Sequence, residues 1–409
     1  MDLNQKLLQI KGSPTLALND RAQRLIKAGK DLIHLGIGEP LNDCPPAAVD
    51  HAVQKLNTGQ VKYSPTGGLG ELKQTVVDYT KKHYGRAPDP DQILITVGAK
   101  QSLANALAAL LNPGEEVILL APYWVSYPAM IQLAGAKPVP VNPPPDLIPS
   151  LDLIKAAVTP ATRVVIVNSP NNPSGVVYPP ELIAALVDYC ETEGIYLILD
   201  DIYHRLVFPG SEWVPGYVFT NRSVEDSRLV IINGISKSYG MTGFRVGWTI
   251  GPSALIKAMK TIQGHTTSGV SSVLQEGARG ALESGEETVQ ELKQLIAGNR
   301  AVLLEGLRSI PEVRIPEPGG AFYCFPDFSA YQPRSTDLAN FLLEKAYTVT
   351  VPGSAFGREG HLRLSYSAPP DQVAESVERI RWVLDPAAPK TISIGGEKFT
   401  RTWNSLEEV

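Results

Sequence analysis

The stretch LVIINGISKSYGMTGFRVGWTI, residues 229–250, places Lys237 between two apolar segments that are predicted to form β-strands. A flexible Gly-Met-Thr-Gly segment follows the lysine, and Arg245 comes eight residues after it. One interpretation is a strand that leaves the core for a solvated loop, because lysine is seldom buried. The other is a lysine held inside a site to form a covalent imine, with an arginine that binds an anion. The rest of the chain decides between them.

The composition is typical of a folded globular protein. The chain has 409 residues, of which 43% are hydrophobic and 19% charged. Single cores stop growing at about 250–300 residues, so two lobes are expected. The net charge of −5 and the lack of long lysine and arginine blocks argue against a nucleic-acid partner. Small molecules or other proteins are the expected partners.

Location and metal content are inferred from motifs that the sequence lacks. Cys44, Cys190 and Cys324 are far apart and outside any zinc-ligand spacing, which indicates reduced thiols. The first residues lack the apolar segment of a secretory signal, and no apolar run approaches the length of about 20 residues that spans a bilayer. No HExxH or comparable cluster indicates a metal. We therefore predict a cytoplasmic protein without membrane contacts or a metal site.

Short apolar runs alternate with helical patterns from residue 91 to about 250. This alternation predicts an α/β fold, a mostly parallel sheet with helices on its faces. Helices are predicted over residues 101–111 and 179–194, the second of which begins on prolines and ends on Gly194. Strands are predicted over residues 93–97, 116–121, 137–141, 163–168, 195–200, 229–234 and 246–250, the third being weakened by its prolines.

The pattern changes after residue 280, where a long charged helix precedes two strand-like segments and a final helix. We predict a smaller α+β lobe here. The predicted division is an N-terminal arm that belongs in part to the small lobe (1–45), a large domain (46–283), a small C-terminal domain (284–385) and a tail or hairpin (386–409). In the last segment, Ile392, Ile394 and Phe399 flank Gly395-Gly396, which predicts a two-residue hairpin in an otherwise loose polar tail.

Residues with chemical potential follow the predicted strands, and in open parallel sheets ligands bind beyond the carboxyl ends of strands. They offer phosphate-binding N–H groups at a helix start, an aromatic face, an amide and a carboxylate for a cationic ring nitrogen. Each also has a purely structural explanation as a turn, a packed aromatic residue or a helix cap. The residues are Gly98, Ala99, Lys100, Trp124, Asn172, Asp200, Tyr203, Lys237 and Arg245.

Together these groups match the needs of one cofactor, pyridoxal 5'-phosphate, which requires an imine-forming lysine, an acid, a stacking face and phosphate donors. Other nucleotide sites fit less well. The glycine-rich segments LGIGEP and GGLGEL lack the GxGxxG spacing between a strand and a helix, and no GxxxxGK[ST] occurs.

The motifs as a set resemble the class I/II aminotransferases of fold type I, specifically the bacterial-type aspartate aminotransferase group. The resemblance extends in order from about Ser13 to Leu384. It rests on GIGEP (36–40), KYSPTGGLGELK (62–73), TVGAKQSL (96–103), PYWVSYP (122–128), NSPNNPSG (168–175), DDIY (200–203), SK and TGFRVGW (236–248), GGAFY (319–323) and RLSY (363–366). It implies a large domain that binds pyridoxal phosphate and a smaller α+β domain.

The resemblance implies roles around the cofactor ring. Lys237 resembles the lysine that forms the Schiff base, and Asp200 resembles the partner of the ring nitrogen. Tyr203 and Asn172 resemble the pair that hydrogen-bonds the ring hydroxyl, and Trp124 resembles the stacking aromatic residue. The predicted catalytic residues are Lys237, Asp200 and Tyr203.

The phosphate group has its own set of matching residues. Ala99, Lys100 and Arg245 fall where the phosphate is bound, with Gly98 beside them. Tyr63 resembles the tyrosine that reaches the phosphate of the neighbouring subunit. The resemblance therefore implies a homodimer with shared active sites.

The substrate is expected to bind through its carboxylates. Arg363 resembles the arginine that binds the α-carboxylate, since a guanidinium can bind it in a bidentate manner that lysine cannot reproduce. Ser13 and Thr15 resemble residues that close over dicarboxylic substrates. The predicted substrate-binding residues are Gly38, Trp124, Asn172 and Arg363.

The chain departs from the family pattern at three places. Ser174 replaces a common threonine and keeps the hydroxyl. Asp201 replaces the usual glutamate, which we expect to be harmless because Asp200 is the ring partner. The tail after Asp385 extends beyond the usual end of the family.

The predicted function is a ping-pong aminotransferase that exchanges an amino group between an amino acid, best aspartate or glutamate, and a 2-oxo acid, best 2-oxoglutarate or oxaloacetate. Donors that are aromatic, neutral or prephenate-derived are the first alternative. A carbon–sulfur lyase or ACC-synthase-like enzyme on the same fold is the second. A non-catalytic ligand-sensing module is the third, and the chain has no room for an added DNA-binding domain.

Overall fold

The structure, a computed structural model, describes residues 10, 12 and 14–403. Its strands are β1 (Ile33–His34), β2 (Ile93–Thr96), β3 (Glu116–Leu120), β4 (Lys137–Val141), β5 (Thr162–Asn168), β6 (Tyr196–Asp200), β7 (Leu229–Gly234), β8 (Gly247–Ile250), β9 (Tyr323–Cys324), β10 (Thr348–Val349), β11 (Val351–Pro352), β12 (Leu362–Ser365), β13 (Thr391–Ile394) and β14 (Glu397–Thr400).

Helices surround these strands. They are α1 (Pro14–Lys27), α2 (Pro46–Asn57), α3 (Gly70–Tyr84), α4 (Gly98–Leu110), α5 (Ser126–Leu133), α6 (Leu151–Ala157), α7 (Pro180–Glu193), α8 (Ser253–Thr266), α9 (Ser272–Ser284), α10 (Glu286–Arg308), α11 (Ser335–Ala346) and α12 (Pro370–Leu384).

The central sheet has seven strands in the order β2-β8-β7-β6-β5-β3-β4. Strand β8 is antiparallel to both of its neighbours, and the other pairs are parallel. All strands except β8 therefore run in one direction, and their carboxyl ends meet at one edge of the sheet. The seven strands predicted from the sequence are present within about a residue or two. The proline-containing strand β4 lies at the end of the sheet, where missing N–H donors are tolerated.

Both faces of the central sheet are covered by apolar side chains. Ile95 and Ile118 contribute to the core on one face, and the alternate residues Leu94 and Val117 contribute to the core on the other. Since neighbouring side chains of a strand point to opposite faces, continuous apolar strands are what a sheet with two covered faces requires.

A smaller group of strands lies outside the central sheet. Strands β11, β12 and β9 form an antiparallel sheet, and β1 pairs in parallel with β10. The long helix α10 packs against α12. We call residues 286–384 the C-terminal lobe. The N-terminal segment contacts this lobe because its strand β1 pairs with β10. The exact domain boundaries remain predictions.

The predicted C-terminal hairpin is confirmed. Strands β13 and β14 pair in an antiparallel manner around Gly395 and Gly396, both of which have positive φ, as a two-residue turn requires. The prediction of a loose tail around it is wrong for the described residues. Arg401 and Trp403 are buried, and the Trp403 ring lies 5.3 Å from that of Trp382. Residues 404–409 lie outside the described part.

The described residues contain neither a membrane-spanning helix nor a cluster of metal ligands. No helix there is long and apolar enough to cross a bilayer. No group of three or more His, Cys, Asp or Glu side chains within that part of the chain could hold a metal ion. The cytoplasmic location remains a prediction from the sequence.

Candidate active site

A cleft of about 980 Å³ opens beyond the carboxyl edge of the central sheet, a size that suits a cofactor together with a small substrate. Loops after β2, β3, β5, β6 and β7 line it, and β12 and residues 36–41 complete its wall. The predicted site residues that line it are Gly38, Ala99, Lys100, Trp124, Asn172, Asp200, Tyr203, Lys237, Arg245 and Arg363.

Lys237 lies three residues beyond the end of β7 and points into the cleft. Its Nζ donates a hydrogen bond of 2.6 Å to the carbonyl oxygen of Gly38. Burial lowers the pKa of Lys237 to about 8, and the positive charge of Arg363 acts in the same direction. A substantial fraction of this amine is therefore neutral near pH 8, which an amine nucleophile requires.

Asp200 is the last residue of β6 and is only 4% exposed. One carboxylate oxygen accepts a hydrogen bond of 2.6 Å from the hydroxyl of Tyr127, and the other accepts a longer one of 3.4 Å from the N–H of Ile202. Burial raises the pKa of Asp200 to about 6, while these two hydrogen bonds and Lys237 act against the increase. The carboxyl group is thus poised to accept a positive partner.

Asn172, Tyr203 and Arg363 form a connected polar group. The amide nitrogen of Asn172 lies 3.5 Å from the hydroxyl of Tyr203, and its amide oxygen accepts a hydrogen bond of 3.1 Å from Arg363 Nη1. The Tyr203 hydroxyl is also 3.3 Å from that of Tyr323. Side chains from two sequence-distant parts of the chain therefore converge on one wall of the cleft.

Arg363 is a buried cation, 4% exposed. Its Nη2 donates to the carbonyl of Gly36 at 2.8 Å. Among the described residues no carboxylate forms an ion pair with it, and its Nε has no hydrogen-bond partner. Burial lowers the pKa of its guanidinium, but arginine stays charged at neutral pH. A buried charge without a counter-ion calls for an anionic ligand.

A second positive region lies at the start of α4. The Nζ of Lys100 is 4.9 Å from the centre of the Trp124 ring, and burial together with Arg245 lowers the pKa of Lys100. Gly98 does not line the cleft but lies beneath it, where an added Cβ would be 2.6 Å from Arg245 Nη2. Its φ of +74° also favours glycine. The glycine thus lets the guanidinium approach the first turn of the helix.

Tyr63, like Gly98, is a predicted site residue that does not line the cleft of this chain, and it is 98% exposed. Ser13 lies outside the described residues. Thr15 lies in α1, with its side chain outside the described part.

The two departures at Ser174 and Asp201 lie away from the cleft lining. The Ser174 hydroxyl donates to Oδ1 of Asn171 at 2.8 Å. Asp201 is buried, and its Oδ2 has no hydrogen-bond partner among the described residues. Burial raises the pKa of Asp201 to about 8, and Asp200 adds to the increase.

Comparison with known proteins identifies the family. The family model for aminotransferase class I and II matches residues 30–380. This chain belongs to that family. An aspartate aminotransferase from Geobacillus stearothermophilus is 36% identical over 95% of this chain and 100% of its own. A probable aspartate/prephenate aminotransferase from Thermus aquaticus is 36% identical over 93% of this chain and 99% of its own.

Solved structures of aminotransferases have a similar fold. An aspartate aminotransferase from Thermus thermophilus with maleate has a TM-score of 0.87 and 36% identity, over 93% of this chain and 98% of that chain. The sequence-based predictions of the family, the α/β fold and an aminotransferase are confirmed.

The aminotransferase family implies pyridoxal 5'-phosphate, and the cleft fits that group. It combines a primary amine, a buried carboxyl group, an aromatic face and a helix start beside two cations. The close approach of Arg245 to Gly98 leaves a positively charged cradle for a phosphate.

Three residues of this candidate site were not assigned a role from the sequence. Tyr127 bonds Asp200, Tyr323 contacts both Tyr203 and Arg363, and Glu39 accepts from the Thr242 hydroxyl at 2.7 Å. All three lie within or beside motifs that carry the resemblance, but only the folded chain shows their partners.

Proposed function

We propose that the protein is an aspartate aminotransferase. L-aspartate or L-glutamate would lose its amino group and leave as a 2-oxo acid, and 2-oxoglutarate or oxaloacetate would take the group up in a second half-reaction. The observation that carries the proposal is the buried guanidinium of Arg363, without a counter-ion among the described residues, in the same cleft as Lys237. The names of the relatives from Geobacillus and Thermus favour aspartate as the donor.

Pyridoxal phosphate, when bound, supplies a carbon that joins to amines and a ring that accepts the electrons left at the substrate Cα. We assign the ring nitrogen to Asp200, the ring hydroxyl to Asn172 and Tyr203, and the ring face to Trp124. We assign the phosphate to the N-terminal turn of α4 at Ala99 and Lys100, together with Arg245. The hydrogen bond between Asn172 and Tyr203 supports the second assignment, since it directs both polar groups to one place.

Lys237 is the proposed attachment point and proton carrier. Its amine lies in the cleft beside Gly38 and has a pKa of about 8. An amine that is neutral in part near neutral pH can accept a proton at one atom and deliver it to another. We propose that Lys237 moves the proton from the substrate Cα as general base and then acts as general acid.

Arg363 is the proposed partner of the substrate α-carboxylate. Its hydrogen bonds to Asn172 and Gly36 fix the plane of the guanidinium. A fixed guanidinium can bind a carboxylate through two parallel hydrogen bonds, which orients the substrate as well as binding it. The Gly38 backbone lies beside Lys237 and is assigned to the same carboxylate.

A homodimer with shared sites is part of the proposal. Tyr63 is almost fully exposed and lies outside the cleft of its own chain. Exposed apolar residues also occur along α2 and just beyond it, namely Val49, Val53, Leu56 and Val61. A second copy of the chain would cover such a surface, and Tyr63 would then reach the partner's phosphate.

The test is a half-reaction followed by visible absorbance. Purified protein loaded with pyridoxal phosphate receives one L-amino acid at a time, without any 2-oxo acid. We expect the visible band to decrease with aspartate or glutamate as a 2-oxo acid is released. A decrease only with aromatic or neutral amino acids would replace the substrate, and release of ammonia and pyruvate would indicate a lyase. The Lys237→Ala variant, assayed in parallel, should show no such change.

A further inference from the structure

Tyr127 is a buried tyrosine whose hydroxyl has a specific target. It is 2% exposed and lies in the first turn of α5. Its hydroxyl donates a hydrogen bond of 2.6 Å to Oδ2 of Asp200, 73 residues further along the chain. A distance this short is typical of a hydroxyl that donates to a charged oxygen. The contact therefore stabilises the ionised form of the carboxyl group.

The same side chain also contacts the proposed stacking residue. The ring of Tyr127 meets the ring of Trp124 edge to face, with 5.5 Å between centroids and an interplanar angle of 82°. Its backbone N–H donates to the carbonyl of Trp124 at 3.0 Å. One residue thus holds both the acid and the aromatic face of the cleft.

We propose that Tyr127 is a positioning residue that keeps Asp200 ionised and so holds the proton on the cofactor ring nitrogen. The proposal rests on the function proposed above and deepens it. Asp200 and the ring nitrogen share one proton, which lies on whichever atom holds it better. A hydrogen bond donated to the carboxylate favours the charged oxygen and leaves the proton on nitrogen.

The other groups around Asp200 do not replace this hydrogen bond. Lys237 is the nearby cation that favours the ionised carboxylate, while Asp201 and Tyr203 would oppose it if they carried negative charge. The remaining donor to the carboxylate, the N–H of Ile202, is at 3.4 Å, a distance at which hydrogen bonds are weak. Tyr127 therefore supplies the main stabilising contact.

The test uses Tyr127→Phe, which removes one oxygen and preserves the ring that packs on Trp124. The variant and the wild type are loaded with pyridoxal phosphate labelled with ¹⁵N in the ring, and the ¹⁵N chemical shift is measured by NMR. We expect the ratio of protonated to neutral ring nitrogen to fall by about 10- to 100-fold, the effect of one hydrogen bond to a charged group.

A second readout is the pH titration of the visible band. A ring that carries less positive charge should shift the midpoint of this absorbance titration to higher pH. Tyr217→Phe is the matched control, because Tyr217 is equally buried and its hydroxyl has no partner among the described residues. This control should match the wild type in both readouts.

The outcomes separate the two proposals. A wild type that binds no pyridoxal phosphate would contradict the proposed function. A wild type that binds it, with a Tyr127→Phe variant whose ¹⁵N shift and band midpoint equal those of Tyr217→Phe, would overturn only the role of Tyr127. Tyr127 would then be a packing residue.

Discussion

Arg363 Nη1 donates a hydrogen bond of 3.1 Å to Oδ1 of Asn172, which joins strand β12 of the C-terminal lobe to the loop after β5 of the central sheet. The two residues are 191 positions apart. Asn172 in turn directs its amide nitrogen toward Tyr203. The group that would bind the substrate carboxylate and the groups that would bind the ring hydroxyl thus share one amide. Arg363 would contact the substrate directly and the cofactor only through Asn172. A change in Arg363 should therefore lower the substrate affinity more than the cofactor affinity.

Replacement of Arg363 by lysine should raise KM for the amino donor by about 10- to 100-fold, with a smaller fall in kcat. Lysine keeps the charge but cannot contact Asn172, Gly36 and a carboxylate at once. Steady-state kinetics with aspartate measure the effect, and Arg308→Lys, at an exposed residue that ends helix α10, is the control. Equal KM values for the two variants would mean that the buried guanidinium does not bind substrate.

Attachment of the cofactor should depend on pH through Lys237. Burial lowers the pKa of this amine to about 8. The ammonium form dominates below that pH and cannot attack a carbonyl, and the neutral amine dominates above it. Stopped-flow absorbance of apo-protein mixed with pyridoxal phosphate should show a rate that rises with pH and levels off above about 8. Lys237→Ala should show no covalent attachment at any pH, while Lys257→Ala, on the surface of α8, should behave as wild type. A rate that keeps rising up to about pH 10, the ordinary pKa of a lysine, would contradict the lowered pKa.

Much of the site was predictable because its residues follow buried strands. The apolar runs of β5, β6 and β7 are continuous, so their ends are clear in the sequence, and Asn172, Asp200 and Lys237 lie just beyond or at those ends. Parallel strands bring such ends to one edge, which is why residues 65 positions or fewer apart along the chain could be grouped without a structure.

Contacts between distant side chains were not predictable. The partner of Tyr127 depends on how α5 packs against β6, and that of Tyr323 on how β9 approaches the central sheet. The packing of Arg401 and Trp403 could not be predicted either. Both side chains donate to backbone carbonyls of a distant helix, and carbonyl groups are the same in every residue, so the sequence does not indicate which of them will be contacted.

Asp201 should make the protein less stable as the pH rises. Its pKa in the folded protein is about 8, above the ordinary value of about 3.9 in an unfolded chain. Between these values the folded state holds a proton that the unfolded state releases, so the free energy of unfolding falls with increasing pH. Asp201→Asn removes the ionisable group and should raise the free energy of unfolding at pH 8 by at least about 1 kcal/mol, with a smaller change at pH 5. Urea denaturation at the two pH values measures this, with the exposed Asp188→Asn as control. An equal effect at both pH values would show that Asp201 is ionised in the folded protein.

Arg401 should link the C-terminal hairpin to the rest of the protein. Its guanidinium is buried and donates to the carbonyls of Trp382, Asp385, Pro386 and Ala388 at 2.5–3.2 Å. Arg401→Ala would remove the guanidinium from these four carbonyls, and only that of Asp385 keeps another donor among the described backbone contacts, the N–H of Ala388 at 3.0 Å. A buried carbonyl that loses its partner costs free energy. We expect the free energy of unfolding to fall by about 2–4 kcal/mol, with kcat and KM unchanged. Lys398→Ala, on the exposed side of the same hairpin, should change neither. A loss of activity in Arg401→Ala at a temperature where the protein stays folded would instead connect the hairpin to the cleft.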